Sequence, residues 1–76
     1  MKYSTGEEIK LGDIVQVGGN DIGAVVGIIE TGEFSKDYPA EDWAYLNTGT
    51  LILTQEAGLI HYPEPDDEIK LIERKI

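Results

Sequence analysis

The side chains that could attack a substrate, move a proton or hold a metal are few in this chain. His61 is the sole histidine, Ser4 and Ser35 are the sole serines, and cysteine is absent. A serine nucleophile needs a base within reach and a strained turn to present its hydroxyl, and neither serine lies in the glycine-flanked pattern of such a turn. Glu64, Asp66, Asp67 and Glu68 stand close enough in sequence to gather a hard cation. They lack the alternating Asp-x-Asx-x-Asx-Gly register of a calcium loop. Paired carboxylates acting as acid and base need a cleft that desolvates them, and a chain of 76 residues has room for one small core. The expectation is a protein that is not an enzyme and carries no cofactor or metal. His61, inside an apolar run, is expected to pack or hydrogen-bond within a sheet.

The acids offer a second kind of chemistry, recognition by charge. Fifteen Asp and Glu against six Lys and Arg set a formal charge of -9. Between Lys36 and Lys70 there are eight acids and no Lys or Arg, while the remainder holds seven acids and six bases, so the stretch accounts for -8 and the rest for -1. The excess gathers in two knots, Asp37 to Asp42 and Glu64 to Glu68. Phosphate backbones bind by releasing counterions to Lys and Arg, so nucleic acid is not the expected partner. Phe34, Tyr38, Trp43 and Tyr45 fall within the first knot and its flanks. Rigid rings bury area at low entropic cost, and carboxylates beside them suit a Lys- or Arg-rich protein surface. Asp37, Tyr38, Glu41, Asp42, Tyr45, Glu64, Asp66 and Asp67 are therefore the candidate partner-binding residues. Acidic loops also keep small proteins soluble and apart, and that reading stands beside the first.

These residues must be held by short elements, because glycines divide the chain into runs of strand length. Ile9 to Val17 is the first run, broken at Gly12-Asp13, and Gly18-Gly19-Asn20-Asp21 reads as a hairpin turn. Gly23 to Glu30 is apolar and β-branched, with Gly27 marking a bulge or sharp bend. Thr50 to Gln55 and Leu59 to Tyr62 form a hairpin across Glu56-Ala57-Gly58, and Ile69 to Glu73 is the last strand. The long connection, Thr31 to Gly49, is expected to hold a short helix from Pro39 to Leu46. Pro39 starts it, Glu41 and Asp42 lie in the first turn, and Asn47-Thr48-Gly49 stops it. Trp43 and Leu46 share its inner face as a plug, and Tyr45 points away. The N-terminal segment is placed to cap an open end. Together these patterns imply one mainly β domain over residues 1–76, a five-stranded half-open barrel with a single short helix between strands two and three. No apolar run is long enough to span a bilayer as a helix. Met1-Lys2-Tyr3-Ser4 runs into polar sequence rather than a leader. A soluble, cytoplasmic protein with no membrane partner is expected.

Leu11-Gly12-Asp13-Ile14-Val15, followed by Gly23-Ala24-Val25-Val26-Gly27-Ile28, resembles the opening hairpin of the KOW and Tudor-like branch of SH3-like barrels. That resemblance implies the barrel and a peptide-binding adaptor role. It does not carry over RNA binding, since the modules that bind RNA are basic. The wider character of the chain, with its Met1-Lys2-Tyr3 start and the acidic, aromatic insertion from Glu33 to Leu46, resembles the small immunity proteins of bacterial polymorphic-toxin systems. This second resemblance implies an inhibitor that masks a basic surface of a partner toxin. A structural accessory domain without a ligand site is the third reading.

Overall fold

Six strands build one antiparallel sheet in the computed structural model, which describes residues 2–3, 5–63 and 68–74, without the side chains of residues 40, 42 and 44. They are β1 (Ile14–Val17), β2 (Asp21–Ile28), β3 (Glu33–Phe34), β4 (Thr50–Thr54), β5 (Gly58–Tyr62) and β6 (Ile69–Glu73). Their order is β5-β4-β2-β1-β6, with β3 paired to β2. The sheet does not close on itself among the described residues. A helical turn α1 (Ala40–Trp43) continues as a 3-10 turn over Ala44–Leu46.

Four of the expected strands appear within a residue or two of their apolar runs. The first is shorter, because Gly12 and Asp13 form a turn and pairing with β2 begins at Ile14. Positive φ at Gly12 (88°) takes the chain through that turn. β3 is an addition to the expected five. Two residues of the long connection turn back onto β2, with Phe34 opposite Gly27. The glycine leaves room for the ring, since a Cβ at Gly27 would sit 3.0 Å from Phe34 Cδ1.

Gly27 also ends the irregularity its position suggests. β2 and β4 pair in step as far as Val25 and Ile52, and the register then shifts so that Gly27 meets Leu51. Val26 is the extra residue. In a regular strand Val25 and Ile28 would face opposite sides, because side chains alternate. The bulge resets that alternation, and both enter the same buried cluster.

The two faces of the sheet carry separate apolar clusters. One gathers Tyr3, Ile9, Val15, Val17, Val25, Ile28, Ile52 and Ile69, so the N-terminal segment is part of this core. The other has Val26, Ile29 and Leu51 at its centre and is covered by Phe34, Tyr38, Trp43, Leu46 and Leu59. Adjacent Leu51 and Ile52 are both fully buried and face different clusters. The 31–49 connection is thus a lid on the second face of the sheet.

Candidate functional site

The lid is built by local hydrogen bonds before any partner is considered. Ser35 N–H donates to the Val26 carbonyl at 2.8 Å, Tyr38 N–H to Ser35 at 3.0 Å, and Ile29 N–H to Gly49 at 2.9 Å, which fastens one end of the connection to β2 and the other to Ile29 just after it. The expected helix is present but tightens after one turn. Asn47 then takes a left-handed φ of 68° and Gly49 one of 114°, ending the helical run where the Asn-Thr-Gly signal puts it. Gly49 faces β5 so closely that a Cβ there would lie 2.5 Å from the Tyr62 carbonyl and 2.6 Å from His61 Nε2.

Aromatic residues in the lid divide between two roles. Trp43 and Leu46 pack onto the second cluster, as their shared helix face implies. Tyr38 joins them, its ring centroid 6.4 Å from that of Trp43 with planes inclined at 46°. Tyr45 turns outward and is 71% exposed, the most exposed large apolar side chain among the described residues. Asp37 and Glu41 are exposed, and Tyr38 is half-buried. Of the eight candidates, Asp37, Tyr38, Glu41, Asp42 and Tyr45 therefore lie on the one 31–49 connection, with Tyr45, Asp37 and Glu41 open to water. Asp42 lies in α1 with its side chain outside the description. Glu64, Asp66 and Asp67 fall outside the described residues.

His61 is half-buried on β5, and its Nε2 is 2.9 Å from the Thr48 carbonyl. A carbonyl only accepts, so Nε2 carries the proton in this contact. The side chain ties β5 to the end of the lid, so its hydrogen bond leaves the sheet for Thr48 and does not lie within the sheet as expected. Among the described residues no three His, Asp or Glu side chains come together as a metal-ligand set.

A second polar constellation was not visible in the spacing of the sequence. Asp13 is fully buried and accepts from four directions. Tyr3 Oη donates to Oδ2 at 2.6 Å, Lys10 N–H at 3.0 Å and an Arg74 terminal nitrogen at 3.2 Å, while Arg74 Nε reaches Oδ1 at 3.1 Å. Arg74 also donates to the Glu8 carbonyl at 2.7 Å. Burial alone would raise the Asp13 carboxyl, but the bonds from Arg74, Tyr3 and Lys10 N–H hold it below the ordinary carboxylate value. The Tyr3 phenol is pushed well above its usual value, first by burial and then by the bond it donates to Asp13. Every acceptor here is satisfied from within the chain, so the cluster is a structural clamp that joins Tyr3 and the Lys10–Asp13 turn to Arg74, the residue after β6. Arg74 is the chain's single arginine, and an aspartate amid Leu11, Ile14 and Val15 is the signal that points to burial.

Asp21 works in the same way at the far end of the sheet. Its carboxylate accepts from Glu56 N–H at 3.1 Å and Ala57 N–H at 3.4 Å, joining the start of β2 to the β4–β5 turn. Partial desolvation raises its pKa, and the bonds to that turn outweigh it, so the net direction is downward. Thr54 Oγ1 closes the turn by accepting from Ala57 N–H at 3.0 Å. Compared with protein-family models, curated proteins and solved structures, the chain matches none.

Proposed function

We propose that this chain is a small protein-binding domain that docks on a basic protein surface through its 31–49 connection. The observation that carries the reading is Tyr45. It stands 71% exposed on a segment whose other large apolar side chains, Phe34, Tyr38, Trp43 and Leu46, are packed onto the sheet. Leaving a large ring in water forgoes the free energy of burying it, whereas at an interface such a ring is a typical anchor. Exposed Asp37 and Glu41 on the same connection supply attraction for Lys and Arg and repel other surfaces. The lid is hydrogen-bonded at both ends, to Val26 of β2 and to Ile29 just after it, so Tyr45 is presented on a supported scaffold and little ordering remains for the moment of binding.

The specific form we favour is an immunity-type inhibitor, acting in the cytoplasm, that masks the basic face of a toxin. In architecture the domain would be an SH3-like half-open barrel. The order β6-β1-β2-β4-β5, with a long β2 bent at its bulge and shared between two halves of the sheet, supports that assignment. A peptide-binding adaptor using Tyr38 and Trp43 as a two-ring groove is less favoured, since both rings lie against the second cluster.

The test is a mixture of the purified chain with the product of the reading frame adjacent to its own gene, followed by calorimetry at low and at about 0.5 M salt. A complex is expected whose affinity falls with salt. Tyr45→Ala should weaken it by about 2 kcal/mol, in the range of an interface anchor. Asp37→Asn with Glu41→Gln should slow association and flatten the salt dependence. A complex indifferent to salt and to all three substitutions would refute the reading.

A further inference from the structure

The sheet has two edges, and they are not alike. β6 is blunted in the ways that discourage pairing with a foreign strand. Its register against β1 slips between Ile14 and Val15, leaving Ile72 as an unpaired bulge residue, and exposed Lys70 and Glu73 stand along it. β5 has none of these devices. It pairs with β4 through five successive residues without a shift, from Gly58 opposite Thr54 to Tyr62 opposite Thr50. Its sequence, Gly-Leu-Ile-His-Tyr, contains no Lys, Asp, Glu or Pro. All five residues are half-exposed. Among the described residues no strand lies beyond it.

We infer that β5 is a strand-addition site, and that its occupant is an extended segment of a basic protein partner: a neutral, β-branched centre flanked by Lys or Arg. Main-chain hydrogen bonds from the alternate residues of β5 whose N–H and C=O point away from β4 would supply affinity, and charge at the flanks would supply selection. Charge complementarity identifies the occupant. β5 carries no charged side chain of its own, exposed Glu56 stands in the turn before it, and in the sequence it falls within the stretch between Lys36 and Lys70 that has eight acids and no Lys or Arg. A second copy pairing edge to edge would bring together two chains of formal charge -9, and like charges oppose association. A foreign strand with basic ends meets the opposite field. This inference rests on the partner class proposed above and adds a second contact to it, since Tyr45 is on the lid and β5 is on the sheet.

The probe is a blocked nonapeptide of alternating valine and threonine with two lysines at each end, titrated into the isotopically labelled full chain and followed by amide shifts and hydrogen exchange. Shifts and slowed exchange are expected at residues 59–61. A sibling with glutamates in place of the lysines should bind at least about tenfold more weakly, and one N-methylated at alternate residues should lose binding, because it cannot complete the ladder. Ile60→Lys should reduce affinity about tenfold by placing a gatekeeper charge on the edge. Ile60 is absent from both buried clusters, so this substitution spares the core. Ile72→Lys, on β6, should leave binding unchanged. The inference is overturned if the cationic peptide leaves residues 59–61 unmoved at millimolar concentration, if it perturbs β6 instead, or if those amides become protected with rising protein concentration alone. Shifts confined to residues 37–46 would also overturn strand addition while leaving the lid reading intact, which separates the two failures.

Discussion

Asp13 shows how much of this small fold hangs on one buried carboxylate. A charged group out of water is tolerated only when it is paired and fully hydrogen-bonded, and Asp13 meets that condition with Tyr3, Lys10 N–H and Arg74. Asp13→Asn should destabilise the chain by about 3 kcal/mol at neutral pH, the low end for a broken buried pair, because Arg74 keeps partial access to water. The folded carboxyl is held below its ordinary value. Its contribution is therefore present above the unfolded pKa near ~4 and is lost as pH falls through the lower folded value. Urea unfolding across an acid pH series should show the gap between the native chain and Asp13→Asn narrowing below that point, and a gap independent of pH would contradict the clamp. Gly49 is a second test at this scale. Its φ of 114° and the 2.5 Å approach to the Tyr62 carbonyl leave no place for a methyl group. Gly49→Ala should cost more than the ~1 kcal/mol typical of a residue forced into a positive φ, read as a lowered urea midpoint.

At the scale of elements, the 31–49 connection is the part that does more than its length suggests. It contributes Phe34, Tyr38, Trp43 and Leu46 to the cover of Val26, Ile29 and Leu51. Since β2 and β4 are antiparallel neighbours, a two-residue turn is able to link them. Replacing residues 31–49 with such a turn should keep the far-ultraviolet signature of the sheet. It should expose the second cluster, bind a hydrophobic dye and lower the melting temperature; a variant as stable as the native chain would show that the lid serves only recognition. The helix start, its stop and the outward turn of Tyr45 were readable from Pro39, the Asn-Thr-Gly end and three-residue spacing. β3 was not, because two residues carry no periodicity and Glu33–Phe34 pair only where the connection happens to fold back on Gly27.

For the whole molecule the governing fact is -9 of formal charge within principal extents of 31 × 25 × 23 Å. Those dimensions are only a few times the screening length of about 10 Å at 0.1 M salt, so the acids repel one another across the domain. Raising sodium chloride from low levels to about 0.5 M should therefore increase stability. A gain of about 1 kcal/mol corresponds to a melting shift of roughly 4–8 °C for a chain of this size. A shift in the opposite direction would mean that paired charges dominate repulsion. The partly buried Asp13–Arg74 pair is screened less than exposed charges and should change little in the same titration.

The sequence by itself determined the β character, the positions of the β2, β4, β5 and β6 strands, the bulge beside Gly27, the short helix and the segregation of charge. Each of these follows from local rules: alternation, β-branching, glycine at special angles and residue counts along the chain. Only the tertiary structure decided that Tyr3 and Ile9 belong to the core, that Asp13 meets Arg74 across 61 positions, and that Asp21 anchors a turn 35 residues away. The same holds for which of the sheet's edges is blunted and which is open. Such pairings depend on strand order and register, which bring distant residues together, and no spacing along one chain specifies which distant carboxylate and guanidinium the sheet will set side by side.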